Sequence, residues 1–265
     1  MKKKILKNNI GIFLGRLTDS NNLQNFPHNW KKEFFLARTL SYSHIEFFLE
    51  EKKVFKNPFW SKTGREEIKY NMRKNFKSNK FILCDNYLIK NNLYNRKTYL
   101  YLIKVLKNLK DFESSTLVLP IKKEYFDNEV KLINFFKKFL KFKHNSINIA
   151  LEVEGDTKKI IQFFKLYNLK DVGIAFDTGN IYLNNSSIFS YFKSISKYIN
   201  HIHIKDRNIY GENTNLGQGR INFKKFFNLL KHYKYNKTIT LETYRKNNST
   251  ITGLKNLNYL DSIIR

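Results

Sequence analysis

At 265 residues, with 42% hydrophobic residues and 24 Phe, the chain can bury the core of one large domain over residues 1–265, which excludes a disordered polypeptide. Its one cysteine, Cys84, excludes an intramolecular disulfide and points to a reducing cytoplasm, while no window approaches the ~18 apolar residues of a membrane span and the basic start from Met1 to Asn9 is too short and polar for a secretory leader. The net charge of +27 invites nucleic acid, but the Lys excess is spread along helical segments and travels with Asn, Ile, Phe and Tyr, all read from A/T-rich codons, so coding bias accounts for it without a specific nucleic-acid partner.

In chain order, short apolar runs predict strands at Ile10 to Leu14, His44 to Leu49, Lys80 to Cys84, Thr116 to Leu119, Ile147 to Val153, Val172 to Phe176, His201 to Ile204 and Thr238 to Leu241. Between them lie amphipathic, Lys-rich stretches with apolar residues three and four apart. Trp30 to Thr39, Arg96 to Leu109, Asn128 to Phe142, Thr157 to Tyr167 and Phe223 to Tyr233 are the clearest. Strict alternation implies βαβ units and a parallel sheet, and eight units in one domain-sized chain imply a closed (β/α)8 TIM barrel. Two connections read as longer and less regular: Glu50 to Arg73, and Arg207 to Gly219.

The last four runs each deliver one charged or imidazole side chain at the C-terminal end: Glu152, Asp177, His203 and Glu242. That end of a parallel barrel carries its chemistry. Two Glu, one Asp and one His form an oxygen and nitrogen set suited to one divalent ion, Mn²⁺, Mg²⁺, Co²⁺ or Zn²⁺. A lone strand-end carboxylate is more often a helix cap, but four on successive strands make a site. His201 faces the same way as His203 and is an alternative ligand; Glu154, two residues beyond Glu152, is a weaker one. Thr178 and Thr243 read as caps of the helices that follow.

Several motifs, in order, resemble those of the xylose-isomerase-like barrels, and more narrowly the sugar phosphate isomerases and epimerases. They are Gly11-Ile12-Phe13-Leu14-Gly15-Arg16-Leu17, Ile149-Ala150-Leu151-Glu152, Phe176-Asp177-Thr178-Gly179-Asn180, His201-Ile202-His203-Ile204-Lys205-Asp206-Arg207, Leu216-Gly217-Gln218-Gly219 and Leu241-Glu242-Thr243. The resemblance runs over nearly the whole chain. It places Glu152, Asp177, His203 and Glu242 on the family's metal positions, with Mn²⁺ the first expectation. It also favours His203 over His201 and casts Glu152 and Glu242 as the acid/base pair of an isomerase or epimerase in carbohydrate metabolism. The reaction it implies is proton transfer through an enediolate, with no organic cofactor. The alternatives within the superfamily are an abasic-site endonuclease of the endonuclease IV type and a sugar or inosose dehydratase. The nuclease reading is weakened by only 6 His and by Asn180, which stands where relatives have a His. Similar barrels are often dimers or tetramers, so a homo-oligomer is compatible.

Substrate contacts are expected from Lys205, Arg207 and Arg245 at the mouths of the last two strands, where an Arg can grip the phosphate or carboxylate of an anionic sugar. Asn180 is expected to bond a hydroxyl. Glu46 either does the same or pairs with Arg16. Gly217 and Gly219 permit a tight turn or, in the sharper reading, cradle a phosphate. Asp85, Asn86 and Tyr87 read as lining the pocket; Phe59 or Trp60 is an aromatic wall or core.

Overall fold

Runs such as Ile147-Asn148-Ile149-Ala150-Leu151 are apolar almost throughout, the pattern of a strand covered on both faces. In a computed structural model, which describes residues 9–18, 25–167, 169, 172–184, 187–245 and 248–264, eight such strands close into a parallel barrel. They are β1 (Ile10–Phe13), β2 (Ile45–Leu49), β3 (Lys80–Asp85), β4 (Ser114–Ile121), β5 (Ile147–Val153), β6 (Val172–Asp177), β7 (Ile199–Ile204) and β8 (Thr238–Leu241), each paired with the next, and β8 with β1. The basic start, up to residue 8, lies outside the described residues. No helix among them is long and apolar enough to cross a membrane.

One irregularity bears on the site. Between β6 and β7 the register shifts, so that Ile174 pairs with Ile199 but Ala175 pairs with His201. One residue more on β7 than on β6 is a bulge, and a one-residue slip exchanges the faces of a strand. Beyond it Asp177 stands directly opposite His203.

The helices are α1 (Trp30–Thr39), α2 (Lys62–Asn75), α3 (Tyr87–Lys90), α4 (Arg96–Leu109), α5 (Glu129–Phe139), α6 (Thr157–Tyr167), α7 (Thr178–Leu183), α8 (Ile188–Ile195), α9 (Phe223–His232) and α10 (Ser249–Ile264). Each long one buries a stripe, as α5 does with Leu132, Ile133, Phe135, Phe136 and Phe139. Beneath them aromatic rings fill the layer around the sheet, Phe81 stacking on Phe112 at 3.9 Å.

The connection from Glu50 to Arg73 is more regular than its sequence suggests. It holds a 3₁₀ turn, Pro58–Trp60, capped by the Asn57 side chain, and then α2. Only Ile68 and Met72 give α2 a buried apolar stripe, which hides its period. Gly64 lets the helix pass close to the turn, since a Cβ there would lie 2.2 Å from the Pro58 carbonyl oxygen. Helix α5 also stops short of the expected Phe142, its last three residues tightening into a 3₁₀ turn, Leu140–Phe142.

Candidate metal centre

Strands β5, β6 and β7 carry Glu152, Asp177 and His203, and Glu242 directly follows β8. One ligand atom from each lies within 4.8 Å of the others. His203 Nδ1 sits at the middle, 3.4 Å from Glu152 Oε1, 3.5 Å from Glu242 Oε2 and 3.7 Å from Asp177 Oδ2. Their exposure is unequal. The side chains of Asp177 and His203 are 1% exposed, those of Glu152 and Glu242 11% and 19%.

Beneath the cluster is a buried polar layer that explains the orientation of His203. Burial alone would raise the Glu46 pKa, but His203 and His201 more than offset it and hold the carboxyl well below its ordinary range. The ionised Glu46 accepts from Nε2 of both imidazoles, each at 2.9 Å. With Nε2–H committed to Glu46, Nδ1 is the His203 nitrogen facing the carboxylates, and it is buried with no hydrogen-bond partner. Burial opposes a charged His203 ring, yet Glu46 and Glu152 hold its pKa well above the usual value. Three carboxylates thus converge on one buried ring nitrogen, and like charges gathered so closely repel one another. The same donors suit a divalent cation, so the residues present fit one.

This placement corrects the expectation for Glu46. It is wholly buried, lies under His203 rather than at the mouth, and pairs with neither a hydroxyl nor Arg16. His201 is packed beside it, with its Nδ1 2.7 Å from Thr238 Oγ1.

Asp177 divides its two oxygens. Oδ1 accepts the Asn180 N–H at 2.8 Å and caps α7, while Oδ2 faces His203 and pairs with Lys205 Nζ at 3.1 Å. The cap reading of a strand-end carboxylate thus holds for one oxygen of Asp177, while the other is left facing the cluster. Thr178 does not cap; its hydroxyl donates to the Lys205 carbonyl at 2.8 Å. Lys205 Nζ also lies 3.0 Å from Glu242 Oε2. Burial lowers the Lys205 pKa, but Asp177, Glu242 and Glu152 together raise it above the ordinary value. Burial likewise raises Glu152, against the pull of His203. Asn180 Nδ2 donates to Glu152 Oε1 at 3.3 Å.

A cavity of about 360 Å³ opens beside Glu152, lined also by Asn180, Glu154, Asn184, Lys122 and Lys123. Two larger cavities, about 730 and 740 Å³, lie between the loops after β1 and β2 and include none of the four cluster residues. Of these three cavities, only the one at Glu152 touches the cluster.

The other basic residues are placed differently from expectation. Arg245 Nη1 donates to the carbonyls of Gly15 and Thr18, at 3.0 and 2.7 Å, and so braces the β1 loop. Arg207 Nη1 donates to the Gly211 carbonyl at 3.2 Å, within the loop after β7. The Gly217 to Gly219 turn does not hold a free phosphate cradle. Its N–H groups at Gly217 and Gly219 donate to Asp206 Oδ2 at 2.9 and 3.0 Å, and a Cβ on Gly219 would lie 2.1 Å from Asp206 Oδ1. Asp206, fully buried, is itself the anion of that loop. Asp85 is also fully buried rather than lining the pocket, bonded to the Tyr87 N–H and Tyr101 hydroxyl. Phe59 is core, and Trp60 packs against Tyr101.

Glu33 was not singled out by its sequence. It accepts from the N–H of Gly15 and from both the N–H and hydroxyl of Thr18. The signal was there: Glu33 falls in the buried stripe of α1 with Trp30, Phe34 and Ala37.

The family model described as xylose isomerase-like TIM barrel matches residues 34–260. No curated protein matches the sequence. Among solved structures, the D-psicose 3-epimerase of Clostridium cellulolyticum H10 with D-tagatose is similar at TM-score 0.75 and 14% identity, covering 97% of this chain and 99% of that one. A 3-keto-D-glucoside 4-epimerase from E. coli follows at TM-score 0.72 and 13% identity, covering 96% and 99%. A xylose isomerase-like TIM barrel protein from Mycobacterium smegmatis, in complex with magnesium, has TM-score 0.67 and 15% identity, covering 97% and 96%. At these identities the likeness establishes the fold.

Proposed function

The chain belongs to the xylose isomerase-like TIM barrel family, and on that premise we propose that it is a divalent-metal-dependent isomerase or epimerase of a small sugar or sugar phosphate. The observation that carries this reading is the division within the cluster. Asp177 and His203 are sealed, whereas Glu152 and Glu242 are reached by solvent and come from strands separated by β6 and β7. Two carboxylates on opposite flanks of one centre suit removal of a proton on one side of a carbon and its return on the other. Glu152, Asp177, His203 and Glu242 would hold a divalent cation, Mn²⁺ by expectation, which would supply Lewis acidity there.

The chain's own groups do the rest. Burial raises the Glu152 pKa above the ordinary carboxylate value against the pull of His203, which favours its service as an acid as well as a base. Asn180 orients its Oε1, and the cavity beside it receives the substrate. Lys205 offsets the charge of Asp177 and Glu242. The epimerase neighbours, one with a ketohexose bound, support the same class. A three-metal nuclease centre finds less support: among the described residues the other donor group, Glu46, His201 and His203, shares His203 and is sealed from solvent.

The test is solvent proton exchange. Protein loaded with Mn²⁺ is incubated in D₂O with ketoses and ketose phosphates and followed by NMR. Deuterium is expected at one carbon, and is expected to disappear with Glu152→Gln and after chelation. No exchange on any substrate, together with cleavage of abasic DNA, would replace this reading with the nuclease.

A further inference from the structure

We propose that Arg16 anchors an oxyanion carried by the substrate, a carboxylate or a phosphate, on the β1–β8 flank of the cluster; this deepens the sugar isomerase reading and rests on it.

Arg16 follows β1, the neighbour of β8 across the barrel seam, and its Nη2 lies 3.8 Å from Glu242 Oε1. Its guanidinium carbon stands 5.2 Å from the centre of the Phe13 ring, and that ring meets His203 edge-on at 6.1 Å. The guanidinium therefore lies beside the cluster, on the flank away from the Glu152 cavity. It is 6% exposed, and its Nε and Nη1 are buried with no hydrogen-bond partner. Leaving donors of a buried cation unmade is among the costlier things a fold can do.

Two carboxylates lie near it, and neither meets its orphaned donors. Both oxygens of Glu33 are occupied by Gly15 and Thr18, and Glu242 reaches only Nη2, at 3.8 Å through Oε1, while its Oε2 faces the cluster and Lys205. Arg245 adds a like charge near Arg16. Nor can the side chain's base relax outward easily. Glu33 grips the Gly15–Thr18 turn through its N–H groups, Arg245 grips it through its carbonyls, and Gly15 at φ +85° sets its path. A guanidinium only donates, so its partner must accept. A sugar hydroxyl would satisfy one N–H but not the charge, whereas a carboxylate or phosphate oxygen satisfies both.

Calorimetric titration of the Mn²⁺-loaded protein with D-fructose, D-fructose 6-phosphate and D-fructuronate tests this. One of the two anions is expected to bind about tenfold or more tightly than the neutral ketose, and which one identifies the group. In Arg16→Met and Arg16→Gln that preference should fall to within about twofold, and in Arg16→Lys to an intermediate value, with Mn²⁺ affinity preserved. The proposal is overturned if the wild type prefers neither anion, or if these variants keep its preference. A preference lost instead in Lys122→Ala with Lys123→Ala would move the anion to the cavity wall and overturn it as well. Anion preference without deuterium exchange would sink the isomerase reading and keep Arg16; exchange with binding indifferent to Arg16 would do the reverse.

Discussion

Strands β5 to β8 each bring one member of the candidate metal cluster to the C-terminal end, whereas β1 to β4 bring none, and β1 and β2 supply groups beneath and beside it. Glu46 of β2 sits under His203, Phe13 of β1 meets the same ring edge-on, and Arg16 follows β1 beside Glu242. The two halves share one architecture, so the difference lies in depth. A ligand must stand at the rim where a substrate arrives; a group that orients it must stand lower, where water does not compete for its hydrogen bonds. The first two strands therefore hold part of the cluster carried by the last four in position.

That contrast can be broken by substitution. The largest effect is expected from His203→Ala, which removes a central donor: Mn²⁺ affinity should drop by more than about a hundredfold, with exchange activity lost. Glu46→Gln should keep the fold and lower Mn²⁺ affinity by about ten- to a hundredfold, since it removes a support rather than a ligand. Titration calorimetry reads both, and equal losses would erase the distinction between the halves. A further effect is on stability and belongs to the first half alone. Burial raises Asp85 to about 7, so its contribution is fully present below the unfolded value near pH 4 and is lost as pH rises through about 7. Wild type should lose ground to Asp85→Asn over that window, at no more than about 1.4 kcal/mol per pH unit. Urea melts at pH 5 and pH 8 measure the difference, and a constant offset would contradict it.

The barrel was legible because its strands are apolar on both faces and spaced by helix-length segments. The cluster was legible because each member is a charged or imidazole residue closing an apolar run. Glu46 was visible as an inward carboxylate, but its partners lie 155 and 157 residues away, and pairing across a barrel is not written in local pattern. Arg207 and Arg245 show a second limit. A position at a strand mouth identifies the element and the level, but the direction of a long side chain depends on which carbonyls its neighbours leave open. Asp206 shows a third: the Gly-x-Gly turn does surround an anion, and the chain supplies that anion itself.

Because Oδ1 of Asp177 is held by the first turn of α7, its Oδ2 is the oxygen turned toward the cluster. Were an ion held there, this bond would bias Asp177 toward one-oxygen contact, and any shift between one- and two-oxygen coordination would fall to Glu152 and Glu242, the two cluster members that face the solvent. Rigid and adjustable positions thus sit on different strands.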